Sequence, residues 1–108
     1  MRDDVRKKIE ETVSGSKVVL FMKGTKNFPQ CGFSARVVET LKRVGEPFLD
    51  VNVLADADVR EGIKEFSSWP TIPQLYVNGK FVGGCDIVTE LAQNGELEPM
   101  IKEPLIKS

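Results

Sequence analysis

An unbroken apolar run, Val18-Val19-Leu20-Phe21-Met22, most constrains how this chain can fold. It lacks polar–apolar alternation, so as a strand over 17–22 it must be covered on both faces. Such a strand belongs at the centre of a sheet packed between helices. A loop holding Gly24 and Pro29 then leads from Lys23 to Gln30, and Val37, Val38, Leu41 and Val44 recur at helical spacing. That spacing predicts a helix over 32–44, closed by Gly45. Leu49, Val51 and Val53 alternate and predict a second strand. Strand, helix and strand in this order form a βαβ unit with parallel strands and a right-handed crossover.

The remaining segments fit around that unit. Val5, Ile9 and Val13 recur every four residues and predict a helix over 4–14, with Asp3 or Asp4 as N-cap and Gly15 at its end. Val59, Ile63 and Phe66 mark a helix over 57–66. Two short strands, 74–77 and 80–82, flank Asn78-Gly79, the strongest short hairpin signal. Ile87, Val88, Leu91 and Ala92 predict another helix with Asp86 as N-cap. Leu97, Met100 and Ile101 predict a last helix starting near Pro99, and residues 104–108 are expected to be loose. No repeat, linker or low-complexity segment interrupts the chain. The reading is α/β: helices on a small mixed sheet, in a single domain over residues 1–108.

Composition narrows the chemistry. A formal net charge of −1 creates no field that would draw nucleic acid or an anionic membrane. No apolar stretch approaches the roughly 20 residues of a membrane span. The charged start (Arg2, Asp3, Asp4, Arg6, Lys7, Lys8) has no apolar segment behind it, so no secretory signal is expected. Two cysteines do not make a disulfide scaffold and suit a reducing compartment. That compartment is a bacterial cytoplasm, or a mitochondrial or plastid matrix after removal of a transit peptide. Histidine is absent, which removes Cys–His catalysis, Ser–His triads and imidazole metal sites together. Two cysteines cannot complete a Cys₄ site, so a metal centre would need ligands from elsewhere.

The chemically distinctive stretch is Phe28-Pro29-Gln30-Cys31-Gly32-Phe33-Ser34. Cys31 falls between a strand and a helix, where unpaired N–H groups and the positive end of the helix dipole favour a thiolate. In a Cys-x-x-Cys motif, position 34 would hold the resolving thiol. Ser34 cannot form a disulfide, so a mixed disulfide at Cys31 has no resolving partner within the motif. A buried small hydrophobe is the bland reading of Cys31; its position at a helix start, with Gly32 beside it, argues for chemistry. Lys23, at the C-terminal end of the first strand, can stabilise that thiolate or pair with a ligand carboxylate.

Cys31-Gly32-Phe33-Ser34 resembles the signature of the monothiol glutaredoxins, and further matches follow in order. These are Met22-Lys23-Gly24-Thr25, Trp69-Pro70-Thr71-Ile72-Pro73-Gln74, Gly83-Gly84-Cys85-Asp86 and Asn94-Gly95-Glu96-Leu97. The resemblance covers nearly the whole chain. It implies a thioredoxin-like fold, with a four-stranded sheet whose strand order pattern alone does not supply. It also implies a glutathione site and a dimer-bridging 2Fe–2S cluster, ligated by Cys31 of each subunit and by the thiols of two glutathiones.

Residue by residue, the resemblance assigns Lys23 to glutathione and to holding the sulfur anion. Arg60, assisted by Lys64, would pair with the glycyl carboxylate; a solvated basic helix face is the plain alternative. Thr71, Ile72 and Pro73 would border the ligand, with Pro73 cis and the Ile72 backbone pairing with the cysteinyl unit. Gly84, Cys85 and Asp86 open a helix whose N-terminus suits the γ-glutamyl carboxylate, while Asp86 could accept from the ammonium. Cys85 has three readings: packing only, backbone contact with ligand, or a thiol that resolves a disulfide at Cys31. Backbone contact is favoured. Phe33 is expected to pack around the site and shield the sulfur. The function implied is iron–sulfur cluster assembly and transfer to acceptor proteins, through a cluster-bound homodimer. The alternative is glutathione-dependent thiol–disulfide exchange through Cys31.

Overall fold

The computed structural model describes residues 1–102. In chain order the elements are α1 (Asp3–Gly15), β1 (Val18–Met22), α2 (Gly32–Val44), β2 (Leu49–Asn52), a 3₁₀ turn (Val53–Ala55), α3 (Ala57–Ser67), β3 (Gln74–Val77), β4 (Lys80–Gly83), α4 (Cys85–Gln93) and α5 (Leu97–Lys102). The sheet runs β2-β1-β3-β4. β1 is parallel to β2 and antiparallel to β3, and β4 closes a hairpin with β3.

The apolar run of β1 does what its lack of alternation requires: all five residues are buried, to both sides of the sheet. Val18, Leu20 and Met22 join Leu75 and Val77 of β3 beneath Val37, Val38 and Leu41 of α2, Val88 of α4 and Ile101 of α5. Val19 and Phe21 join Tyr76 beneath Val5, Ile9 and Val13 of α1 and Val59 and Ile63 of α3. Burial stabilises each such side chain by roughly 1.5–3 kcal/mol, so the two layers fix where the helix ends sit. The cores thereby bring the start of α2, the loop before β3 and the start of α4 together beyond the C-terminal end of β1.

Local signals explain most boundaries. Gly45 ends α2 at φ +88°, its N–H returning to Leu41 O at 3.3 Å. Asn78 and Gly79 both take positive φ, +54° and +79°, as a type I′ hairpin turn requires. Asp56 caps α3 by accepting from the Asp58 and Val59 N–H groups at 3.1 Å.

Four boundaries differ from the sequence pattern. Val53 turns into the 3₁₀ segment rather than extending β2, because Asn52 Oδ1 takes the Leu54 N–H at 3.0 Å and bends the chain there. Arg2, not an aspartate, precedes α1; Asp3 and Asp4 lie in its first turn, where they still favour the helix dipole. Gly84 is the N-cap of α4, and Asp86 sits inside the first turn. α5 begins at Leu97, and Pro99 falls in its first turn, where a missing N–H leaves no helical acceptor unpaired. The expectation for residues 104–108 lies outside the described residues.

Candidate functional site

Cys31 is the N-cap of α2, with extended backbone (φ −149°, ψ 137°), and is half-buried. The N–H groups of the first helical turn have no acceptor inside the helix. The thiol makes no capping hydrogen bond, but these donors lie near enough to favour the thiolate and hold Cys31 below the ordinary thiol range. The Ser34 N–H has the largest influence, opposed by partial desolvation; the Phe33 N–H, the Lys23 charge and the Ser34 hydroxyl add to the lowering.

Ser34 therefore does more than stand where a second thiol is missing. It is completely buried, and its Oγ accepts the Lys23 N–H at 3.1 Å. One hydroxyl thus ties the end of β1 to the first turn of α2 and leaves its proton for the sulfur. Lys23 itself forms no ion pair among the described residues.

In front of Cys31 lies a cavity of about 520 Å³, a size suited to a small-molecule ligand. It brings together every site residue that the sequence singled out. Lys23, Cys31 and Phe33 form one side, Arg60 and Lys64 of α3 a second, Thr71, Ile72 and Pro73 a third, and Gly84, Cys85 and Asp86 the fourth. The Ile72–Pro73 bond is cis. Cationic side chains gather toward α3 and β1, while the α4 N-terminus and Asp86 lie across from them. Lys64 is partly engaged by Glu61 at 3.4 Å. Two buried donors on lining residues, Arg60 Nε and Trp69 Nε1, have no acceptor among the described residues. Leaving such groups unpaired costs about 1–3 kcal/mol each, so an acceptor entering the cavity has something to gain.

Phe33 borders the cavity beside Cys31 and is 61% exposed. As the second residue of α2 it projects from the helix start, where no other element covers it. Phe28 is also out in solvent, 73% exposed. Cys85 is 8% exposed, and burial pushes its thiol up; it stays protonated at neutral pH and is poorly disposed to attack a disulfide.

Sequence reasoning gave no site role to Trp69, Pro70, Gln74 or Ile87. Trp69 forms cavity wall, and a Cβ on Gly84 would come within 3.2 Å of its Nε1 and 3.3 Å of Pro73 O, so glycine sets the wall's depth there. Gln74 is fully buried, and its amide donates to Trp69 O and Thr71 O, both at 3.1 Å, which shapes the loop around the cis proline. Ile87 lines the mouth. The signal for Gln74 was available: a polar residue opening an otherwise apolar strand needs a buried partner.

The glutaredoxin family model matches residues 18–82, which include β1, the Cys31 stretch and the cis-proline loop. A monothiol glutaredoxin of Synechocystis sp. is 56% identical over 105 residues, covering 97% of this chain and 98% of its own. The chain belongs to the monothiol glutaredoxins. A mitochondrial monothiol glutaredoxin of Saccharomyces cerevisiae is 53% identical over 103 residues, covering 93% of this chain and 69% of the yeast protein. Among solved glutaredoxins, a reduced apo form from poplar matches with a TM-score of 0.80 at 52% identity, covering 92% of this chain and 91% of its own. The holo form of a glutaredoxin from Populus tremula × tremuloides matches at 0.84 and 30% identity, covering 94% and 89%. A buckwheat glutaredoxin–glutathione complex matches at 0.82 and 25% identity, covering 93% and 89%. The glutaredoxin architecture accounts for the thioredoxin-like sheet order.

Proposed function

We propose that this glutaredoxin binds glutathione in the Cys31 cavity and, as a pair of chains, carries a 2Fe–2S cluster for delivery to acceptor proteins. The observation that carries the reading is the charge layout around one favoured thiolate. Glutathione has two carboxylates and one ammonium. Lys23, Arg60 and Lys64 supply cations at one end of the cavity; the α4 N-terminus and Asp86 supply an anion site and a carboxylate at the other. The buckwheat complex with glutathione supports that ligand, and the existence of a holo form of the Populus protein supports a form that carries a bound group.

The donor set fits a shared cluster. No group of three or more cysteine, aspartate or glutamate side chains converges among the described residues, so one chain does not complete a four-sulfur site. Two Cys31 thiolates and two glutathione thiolates do. A bound cluster would supply the cargo. The chain's own part is to hold a thiolate at Cys31, seat glutathione beside it and release the tripeptide on transfer. Ser34 leaves no neighbouring thiol to close Cys31 off as a disulfide. Apo protein is then a monomer and loaded protein a homodimer, and a free thiolate of this kind suits a reducing compartment such as the one named for the yeast mitochondrial relative.

The lowered thiol of Cys31 also favours a second reading, thiol–disulfide exchange. The Cys31 thiolate would attack the glutathionyl sulfur of a mixed disulfide and release the substrate thiolate; a second glutathione thiolate would then attack that sulfur, releasing the Cys31 thiolate and forming glutathione disulfide. Anaerobic loading with iron and sulfide, with and without glutathione, separates the readings when followed by absorption and native mass. A dimer holding two irons and two glutathiones is expected. Glutathione-independent loading, or none at all beside a brisk exchange rate, would refute the cluster reading.

A further inference from the structure

Residues 68–73 join α3 to β3 and bring Trp69, Thr71, Ile72 and Pro73 to the cavity wall. The start of this loop is held by α3. Ser68 ends that helix with φ +56°, and the Trp69 N–H donates to Lys64 O and to Ser67 Oγ, both at 3.1 Å. The rest of the loop is held by a side chain from beyond it. The Gln74 amide nitrogen donates to Trp69 O and to Thr71 O, both at 3.1 Å. A carbonyl oxygen can only accept, so the nitrogen of that amide, and not its oxygen, must face the loop. Both amide protons are thereby used, and Gln74 is completely buried.

These bonds leave a particular part of the backbone open. Trp69 O and Thr71 O are taken, whereas the Ile72 N–H and C=O have no partner among the described residues. Ile72 lines the cavity. An N–H and a C=O left open on one residue suit strand-like pairing with an extended peptide, provided that the loop keeps one shape. Apolar burial does not give it that shape. Trp69 packs on Phe81 with ring centres 5.9 Å apart, but Pro70 and Thr71 are exposed, and burial is non-directional in any case.

We propose that Gln74 is a positioning residue for ligand binding: its amide holds the 69–73 loop so that the open Ile72 backbone and the Trp69 wall meet an extended thiol peptide together. Gln74 does not line the cavity, so it acts through the loop. Which peptide enters rests on the glutathione reading of the cavity; that the loop is held rests on the two hydrogen bonds. A glutamine that served stability alone would weaken the fold when replaced and leave the affinity of the folded molecules unchanged.

Gln74→Met keeps the side-chain length and removes both donors. Tyr76→Phe is the matched control. The Tyr76 hydroxyl lies 3.5 Å from Gln74 Oε1 in the same buried cluster, and its loss leaves both loop carbonyls held. Calorimetry with glutathione, referred to the folded fraction from urea titration, should show affinity falling about ten-fold in Gln74→Met, the upper worth of one net hydrogen bond. Tyr76→Phe should bind as the parent does. Glutathione-free protein gives a second readout: Trp69, the single tryptophan, should be quenched more readily by acrylamide in Gln74→Met and not in Tyr76→Phe. The parent gives a third, which stands even where a variant does not fold. Both Gln74 side-chain amide protons should exchange slowly with solvent, and those of the exposed Gln93 quickly. Parental affinity in folded Gln74→Met, an equal loss in Tyr76→Phe, unaltered quenching, or Gln74 amide protons exchanging as fast as those of Gln93 would each overturn the proposal. A parent that binds no glutathione would refute the glutathione reading instead, and the quenching and exchange readouts, which need no ligand, would still decide whether Gln74 holds the loop.

Discussion

Replacing Ser34 with alanine separates what its hydroxyl does for the fold from what the helix start does for the sulfur. The Ser34 Oγ accepts the Lys23 N–H at 3.1 Å, and the serine is fully buried. Removing the oxygen leaves a partly buried donor unpaired, at a cost of about 1–3 kcal/mol. The space vacated is one oxygen atom, so a cavity penalty adds little. A loss of that size lowers Tm by roughly 4–8 °C per kcal/mol in a domain of this length. The thiol should respond much less. Its largest lowering influence is the Ser34 backbone N–H, which alanine keeps; the hydroxyl is the smallest of the named influences. Urea titration together with the alkylation pH profile reads both quantities from one preparation. A variant as stable as its parent would show that the hydroxyl does not satisfy Lys23. A thiol midpoint displaced by more than a unit would show that the hydroxyl, and not the helix start, sets the thiolate.

Further outcomes test the rest of the site. Lys23→Gln should raise the Cys31 midpoint, by at most on the order of one unit since Lys23 ranks below the backbone donors, and weaken glutathione binding by calorimetry; an unmoved midpoint would leave the helix start acting alone. Because Cys31 ionises at lower pH in the native protein than in the unfolded chain, its stabilisation is present above the ordinary thiol value and is lost as pH falls through the native one. The stability gap between parent and Cys31→Ser should therefore widen as pH rises across that window, and a flat gap in denaturant titrations would contradict the lowered thiol. Gly84→Ala puts a methyl 3.2 Å from Trp69 Nε1 and 3.3 Å from Pro73 O; several-fold weaker glutathione binding is expected, read from the fluorescence of the chain's single tryptophan. Cys31→Ser should lose the cluster, as a hydroxyl is a poor ligand where soft thiolates are required, while Cys85→Ser should keep most of it. Absorption spectra after loading decide both.

The sequence was informative where local rules decide. The β1 run had to be covered on both faces, and it is; Asn78-Gly79 had to turn with positive φ, and does. The motif residues Lys23, Cys31, Arg60, Ile72, Pro73, Gly84 and Asp86 line one cavity because the helix starts and the cis-proline loop lie beyond the same end of the sheet. Helix caps were less legible. Asp86 and Gly84 both suit a cap by type; the cap is Gly84, where a Cβ would crowd Trp69 and Pro73. The exposure of Phe33, 61%, was not legible either: its place on the first turn of α2 puts it at the cavity's edge with one side open to solvent.

What stayed hidden shares one physical character: polar atoms that pair over long sequence separations. Ser34 reaches Lys23 across 11 residues, Asn52 reaches Gly24 across 28, and Asp50 reaches Lys26 across 24. Hydrophobic periodicity cannot announce such pairs, because a residue that accepts one backbone N–H leaves no repeat behind it. Their consequence is nevertheless specific. Apolar burial is non-directional, so the two core layers bring α2, the cis-proline loop and α4 to the same end of the sheet without fixing where a sulfur sits relative to an ammonium. Hydrogen bonds of about 3 Å with required angles can fix it. In this chain the directional bonds gather on the loop before Cys31 and on the cis-proline loop, which Gln74 at the start of β3 holds through its side chain. The core therefore specifies that a site exists at this end, and a handful of polar side chains that donate to or accept from the backbone specify its geometry.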